Sequence, residues 1–120
     1  MKIVVSAKGS TPECELDPRF GRAGCFLVFD TESGAWQSVD NSGSQSAAQG
    51  AGIQSAETVA RSGAGCLVTG HCGPKAFRVL NAAGIAIYNC GEATVADALK
   101  AFRDGTLHKM ETADVDGHWV

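Results

Sequence analysis

Apolar positions in this chain come in short bursts separated by glycine-rich polar stretches, and the spacing within each burst changes along the sequence. Residues 2–6 are short and β-branched and run into a Gly/Ser/Thr/Pro stretch at 9–12, which predicts a buried central strand ending in a loop. Residues 25–30 and 35–40 are rich in aromatic or β-branched side chains and flank Ser33-Gly34, the pattern of a hairpin. After the polar residues 41–52, Ile53, Ala56, Val59 and Ala60 fall at helical spacing until Gly63. A strand at 66–69, a tight loop at 70–73 and a helix opened by Pro74 follow, with Phe77, Leu80 and Ala83 as its apolar stripe. Gly84 ends that helix, residues 85–88 give another strand, and residues 89–92 a loop. In the last helix Thr94 caps the free amides, Asp97 stands three residues on, and Val95, Ala98, Leu99 and Phe102 face the core up to Gly105.

This order predicts one α/β domain over residues 1–107 and a polar tail over 108–120. The mixed sheet has five strands in the order 3-2-1-4-5, strand 2 antiparallel, with helices on both faces. Three loops, at 7–24, 70–73 and 89–92, then gather at the carboxyl ends of strands, where open α/β sheets place ligands.

Composition narrows the function. With 120 residues, 44% hydrophobic and 19% charged, the chain is of ordinary single-domain size and composition. Its longest apolar run is residues 25–29, far short of the roughly 20 a membrane helix needs. No secretory signal pattern follows Met1, so a cytoplasmic location is expected. A net charge of −3 disfavours nucleic acid as a partner. The cysteines, Cys14, Cys25, Cys66, Cys72 and Cys90, are odd in number and lack a CxxC pair, so they read as reduced thiols rather than a disulfide framework or a tetrahedral zinc site.

Two segments carry candidate chemistry. Asp17-Pro18-Arg19-Phe20-Gly21-Arg22-Ala23 sets two arginines around a glycine that allows close backbone approach, so two planar donor forks can meet a multiply charged anion. A solvated loop with one arginine paired to Asp17 is the plainer alternative. Thr69-Gly70-His71-Cys72-Gly73-Pro74-Lys75 joins a strand to a helix. There His71 and Cys72 offer soft metal donors, while the helix start and Lys75 add positive charge. The same positive end makes Cys72 the cysteine expected to be most reactive. A glycine turn with a chance His-Cys pair is the alternative. Gln49-Gly50-Ala51-Gly52 partly matches GxGxxG, but no strand immediately precedes it, so it reads as a close-packed helix start with amides able to touch an anion.

A two-metal nuclease needs carboxylates on its sheet beginning with the first strand, and residues 2–6 hold none. No G-x-S-x-G elbow supports a serine hydrolase. His108 and His118 read as solvent-facing tail residues, although His118-Trp119 could fold back over a site.

DPRFGRA at 17–23, GAGI at 50–53, TGHCGPKAF at 69–77, AGIAIY at 83–88 and GEATVADALKAF at 91–102 together resemble the dinitrogenase iron-molybdenum cofactor biosynthesis family (NifX/NafY-like), most of all its orange-protein branch. The resemblance implies a ribonuclease H-like fold without nuclease activity. It further implies a non-enzymatic carrier for a preformed anionic cluster, either a molybdenum-copper sulfide or an iron-molybdenum-sulfur cofactor, exchanged with a donor or acceptor protein. Many relatives carry histidine where this chain has Gln49. Combined with the residues above, it points to a site of Arg19, Phe20, Gly21, Arg22, Gly52, Gly70, His71, Cys72, Gly73 and Lys75, with His71 and Cys72 as metal-facing donors. A metal-dependent phosphodiester hydrolase and a partner-binding regulator with a vestigial site are the competing classes.

Overall fold

A computed structural model describes residues 1–45 and 50–112. Its central strands follow the apolar bursts: β1 (Lys2–Ala7), β2 (Cys25–Asp30), β4 (Ala64–Thr69) and β5 (Ala86–Asn89), with β3 (Trp36–Asp40) at one edge. Alternate residues of β1 and β2 serve opposite cores, which is why these strands read as unbroken apolar runs. Val4, Phe26 and Val28 pack on one face with Ala56 and Val59 of α2 (Ala51–Arg61) and Ala76 and Leu80 of α3 (Pro74–Ala82). Ile3, Val5, Leu27 and Phe29 pack on the other with Val95, Ala98 and Leu99 of α4 (Val95–Arg103). A single turn of helix, α1 (Ser42–Gln45), follows β3.

The sheet has six strands in the order β3-β2-β1-β4-β5-β6, one more than the apolar pattern predicts. The extra strand, β6 (His108–Lys109), pairs antiparallel with Tyr88 and Asn89 at the start of the segment expected to be a tail. Met110 anchors it, donating its N–H to Ile87 O at 2.8 Å and burying its side chain to 5% exposure. Two residues carry no alternation, so nothing local announces such a strand. Strand β2 is antiparallel to β1, while β4 and β5 run parallel to β1, as the order of elements implies.

Helix boundaries follow their sequence signals. Glycines with positive φ, Gly63 at 81° and Gly84 at 78°, terminate α2 and α3, a conformation a side chain would oppose. Thr94 Oγ1 accepts the Asp97 N–H at 3.1 Å and caps α4. The buried stripe of α3 is Ala76 and Leu80 with Phe77 half-buried, whereas Ala83 lies past the helix end and is exposed. No described helix is long and apolar enough to cross a membrane.

Candidate functional site

The arginine loop and the histidine loop are joined through their backbones, although Arg19 and His71 are 52 residues apart in sequence. His71 N–H donates to Pro18 O at 2.7 Å and Phe20 N–H to His71 O at 3.2 Å, so Arg19 and His71 form a one-residue parallel bridge. Gly70 makes this approach possible: a Cβ there would lie 2.7 Å from Pro18 Cα and 2.8 Å from Pro18 O. Both contacts are with backbone, which cannot rotate away.

Buried polar groups hold the junction from below. Ser6 Oγ donates to Asp17 O at 2.7 Å and lies 2.8 Å from Thr69 Oγ1, with which it shares a second hydroxyl bond. Asn89 Nδ2 donates to Gly70 O at 2.7 Å, tying in the end of β5. Asp17, 3% exposed, accepts the Arg19 N–H at 3.0 Å and lies 3.8 Å from Arg19 Nε. The pairing of Asp17 with one arginine is therefore present, yet it orients Arg19 rather than hiding it: the Arg19 side chain keeps 56% exposure.

Arg22 sits in a 3₁₀ turn (Phe20–Arg22) pinned by Phe20, which is 2% exposed in the core. The turn itself packs on the start of α2. A Cβ on Gly21 would come within 3.0 Å of Gly52 Cα and N, and Ser55 Oγ donates to Gly21 O at 3.2 Å. Gly52 is buried and serves contact between two pieces of this chain, as a close-packed helix start should, whereas Gly50 is the N-cap of α2 with nothing within 4 Å of where its Cβ would lie. Gln49 and His118-Trp119 lie outside the described residues.

His71 and Cys72 are separated by the pleat of the extended segment that carries them. Neighbouring residues there face opposite sides; His71 is exposed, whereas Cys72 is 1% exposed within the core that holds Phe20, Ala76 and Leu80. Its sulfur approaches Gly73 O at 3.8 Å. The structure thus brings Arg19 and His71 to one surface and places Cys72 beneath it, so the two residues expected as metal-facing donors point to different sides. Gly73 is the N-cap of α3, Pro74 its first residue, and Lys75 is exposed on its first turn.

The apolar pattern passed over a third contributor. Pro18, Gly70, His71, Cys90, Glu92 and the Lys8–Glu15 pair line a cavity of about 360 Å³ at the carboxyl ends of β1, β4 and β5. Neither arginine of the loop, nor Lys75, lines it. Burial pushes the Cys90 thiol above the ordinary cysteine range. The signal for Cys90 was its place in the 89–92 loop, not its residue type.

A family model for the dinitrogenase iron-molybdenum cofactor matches residues 1–105. The fold superposes on the apo form of the orange protein from Desulfovibrio gigas with a TM-score of 0.91 and 43% identity, covering 95% of this chain and 96% of that one. A Thermotoga protein of the DUF35 family, determined by NMR, matches with a TM-score of 0.85 and 30% identity over 97% and 98% of the two chains. An uncharacterized protein of Methanocaldococcus jannaschii is 29% identical over 99 residues, 80% of this chain and 83% of its own.

Proposed function

This chain belongs to the dinitrogenase iron-molybdenum cofactor family, and from that premise we propose that it is a non-enzymatic carrier whose cargo is a preformed, anionic, molybdenum-containing metal-sulfur cluster. The observation that carries the reading is the Arg19–His71 bridge, which sets an arginine loop against a strand end and the start of α3. The strand order and the absence of a carboxylate from β1 fit a ribonuclease H-like framework turned from catalysis to binding.

Such a cluster is a compact polyanion, and a polyanion leaves water only where its charge is matched. At about 4 Å and an effective dielectric of 20, each arginine supplies roughly 4 kcal/mol of attraction before desolvation is subtracted. Arg19 and Arg22, helped by Lys75 and the amides opening α3, are the groups we assign to the cargo. His71 stands at their edge as the metal-facing donor. Gly21, Gly52 and Gly70 let the backbones of the two loops and of α2 close up, Phe20 anchors the loop, and Cys72 packs the floor from inside.

Both a molybdenum-copper sulfide and an iron-molybdenum-sulfur cofactor fit this scheme, because charge and size rather than a fixed ligand set would hold them. A carrier of this kind exchanges cargo with a donor or acceptor protein. Five free thiols suit the reducing cytoplasm.

Anaerobic titration of the apo protein with tetrathiomolybdate and copper tests the reading by metal analysis after desalting and by new charge-transfer absorption. The wild type should retain molybdenum, and the Arg19→Ala/Arg22→Ala double variant should lose it. Equal loading of that variant, with its fold intact by circular dichroism, would remove the loop from the proposal.

A further inference from the structure

The two edges of the sheet are unequally guarded. Strand β6 is two residues long, contains Lys109 and runs into Met110, which enters the core. Shortness and a lysine are ways in which sheets blunt an edge against other chains. Strand β3 has neither: its five residues include no lysine, proline or glycine, and they pair with β2 in one unbroken register. Among the described residues no strand lies beyond it, and α1 packs against α2 and the Phe20–Arg22 turn.

The hydrogen-bonding phase of β3 follows from its two ends. Asp30 N–H donates to Ala35 O at 3.0 Å, and Asn41 N–H donates to Gly24 O at 3.1 Å. Bonded positions alternate along an antiparallel pair, so Ala35, Gln37, Val39 and Asn41 turn their backbone groups toward β2. Trp36, Ser38 and Asp40 turn theirs outward. The side chains of these three stand on the α4 face with those of their partners Phe29, Leu27 and Cys25. Trp36 is half-buried there, its ring 4.9 Å from that of Phe29, and Val39 is half-buried on the opposite face. A strand laid along β3 would meet three outward N–H and C=O pairs and complete apolar contacts on both faces.

We propose that the β3 edge is a self-association surface, on which a second copy of this chain lays its own β3 antiparallel about a two-fold axis at Ser38. In that register Ser38 faces Ser38 and Trp36 faces Asp40, so every outward backbone group of the three residues is bonded. The charges favour a second copy as the occupant. Asp40 is the one charged side chain of β3, and its carboxylate accepts the Ser42 hydroxyl at 2.8 Å. Opposite it would stand Trp36 of the second copy, next to that copy's Phe29, over whose ring Arg103 lies at 5.6 Å. With strands about 4.8 Å apart, this guanidinium is some two strands from Asp40, at about the Debye length of roughly 10 Å at 0.1 M. The two Asp40 residues lie about 14 Å apart along the strands. The pairing thus draws unlike charges together and keeps like charges apart. It also reverses the second sheet, so the two cargo loops open at opposite ends and neither is covered.

This surface goes beyond the carrier reading and does not depend on it. Two short strands make a small interface, of the weak class below about 1,200 Å², so the test runs to high concentration. Sedimentation equilibrium of the apo protein up to about 1 mM, the weak end of specific association, should show a species of twice the chain mass that grows with concentration. Amide exchange by NMR locates the contact. The N–H groups of Trp36, Ser38 and Asp40 should exchange more slowly as concentration rises, while those of Gln37 and Val39, already bonded to β2, should not change. Ser38→Pro removes an outward N–H, deleting the two central bonds between copies without touching the ladder to β2. Ser38→Lys sets like charges directly opposite each other, and it keeps the proposal testable should the proline disturb the strand. Each variant, folded by circular dichroism, should stay monomeric where the wild type associates. A wild type that is monomeric throughout overturns the proposal and leaves the edge to a strand of another protein. So does a dimer whose Trp36, Ser38 and Asp40 amides exchange at the monomer's rate, or one that Ser38→Lys leaves intact.

Discussion

Two positions expose the physics of the site one residue at a time. Gly70 has no room for a methyl group because Pro18 backbone atoms occupy it at 2.7 and 2.8 Å. Gly70→Ala should therefore pry the loops apart and destabilise the fold by about 1–3 kcal/mol, the usual cost of overpacking, seen as a lower urea midpoint. Gly91→Ala, where a Cβ meets nothing within 4 Å, should stay within about 0.5 kcal/mol of wild type in the same measurement. Cys14 offers a contrast in reactivity. The Thr11 hydroxyl, 3.3 Å from its sulfur, holds the Cys14 thiol below the ordinary cysteine range, while burial pushes Cys25, Cys66 and Cys90 above it. A lowered pKa means more thiolate at neutral pH, so Cys14 should be alkylated first by iodoacetamide, ahead of the buried Cys72 that sequence alone favours as the reactive thiol. Its lead should shrink as pH rises and the other thiols ionise. Thr11→Val should slow Cys14 alkylation, and an unchanged rate would contradict the assigned cause.

At the scale of elements, what was legible tracks how local its cause is. The β2 boundaries, the Pro74 start of α3 and the Thr94 cap follow from side chains acting on their own neighbourhood. Thr94→Ala should accordingly cost about 1 kcal/mol, the value of an N-cap hydroxyl, with no change in the site and a modest fall in melting temperature. Strand β6 was not legible because its cause is distant: His108 and Lys109 are ordered by the open edge of β5 and by Met110 entering the core. The same holds at the site. That the 17–23 and 70–75 segments would meet follows from strand order, since both leave carboxyl ends. Which donor faces outward does not, because the register of the Arg19–His71 bridge decides that His71 emerges and Cys72 turns inward, while the β4–β5 pairing, extended by Cys90 N–H to Thr69 O at 3.0 Å, brings Cys90 to the cavity.

For the molecule as a whole, the net charge of −3 sets up a test of how cargo is held. An anion approaching from a distance meets net repulsion, while one seated against Arg19, Arg22 and Lys75 meets local attraction. Salt screens both, with a Debye length of about 10 Å at 0.1 M, so the sign of the salt dependence tells which term governs. If converging cations dominate, the tetrathiomolybdate Kd should rise steadily as sodium chloride increases. The Arg19→Ala/Arg22→Ala variant should bind more weakly and show a flatter slope, because the attraction being screened has been removed. A Kd that falls with added salt would mean that long-range repulsion outweighs the loop. The cargo would then have to be held by metal-ligand bonds, with His71 as the donor at the edge of the arginine loop.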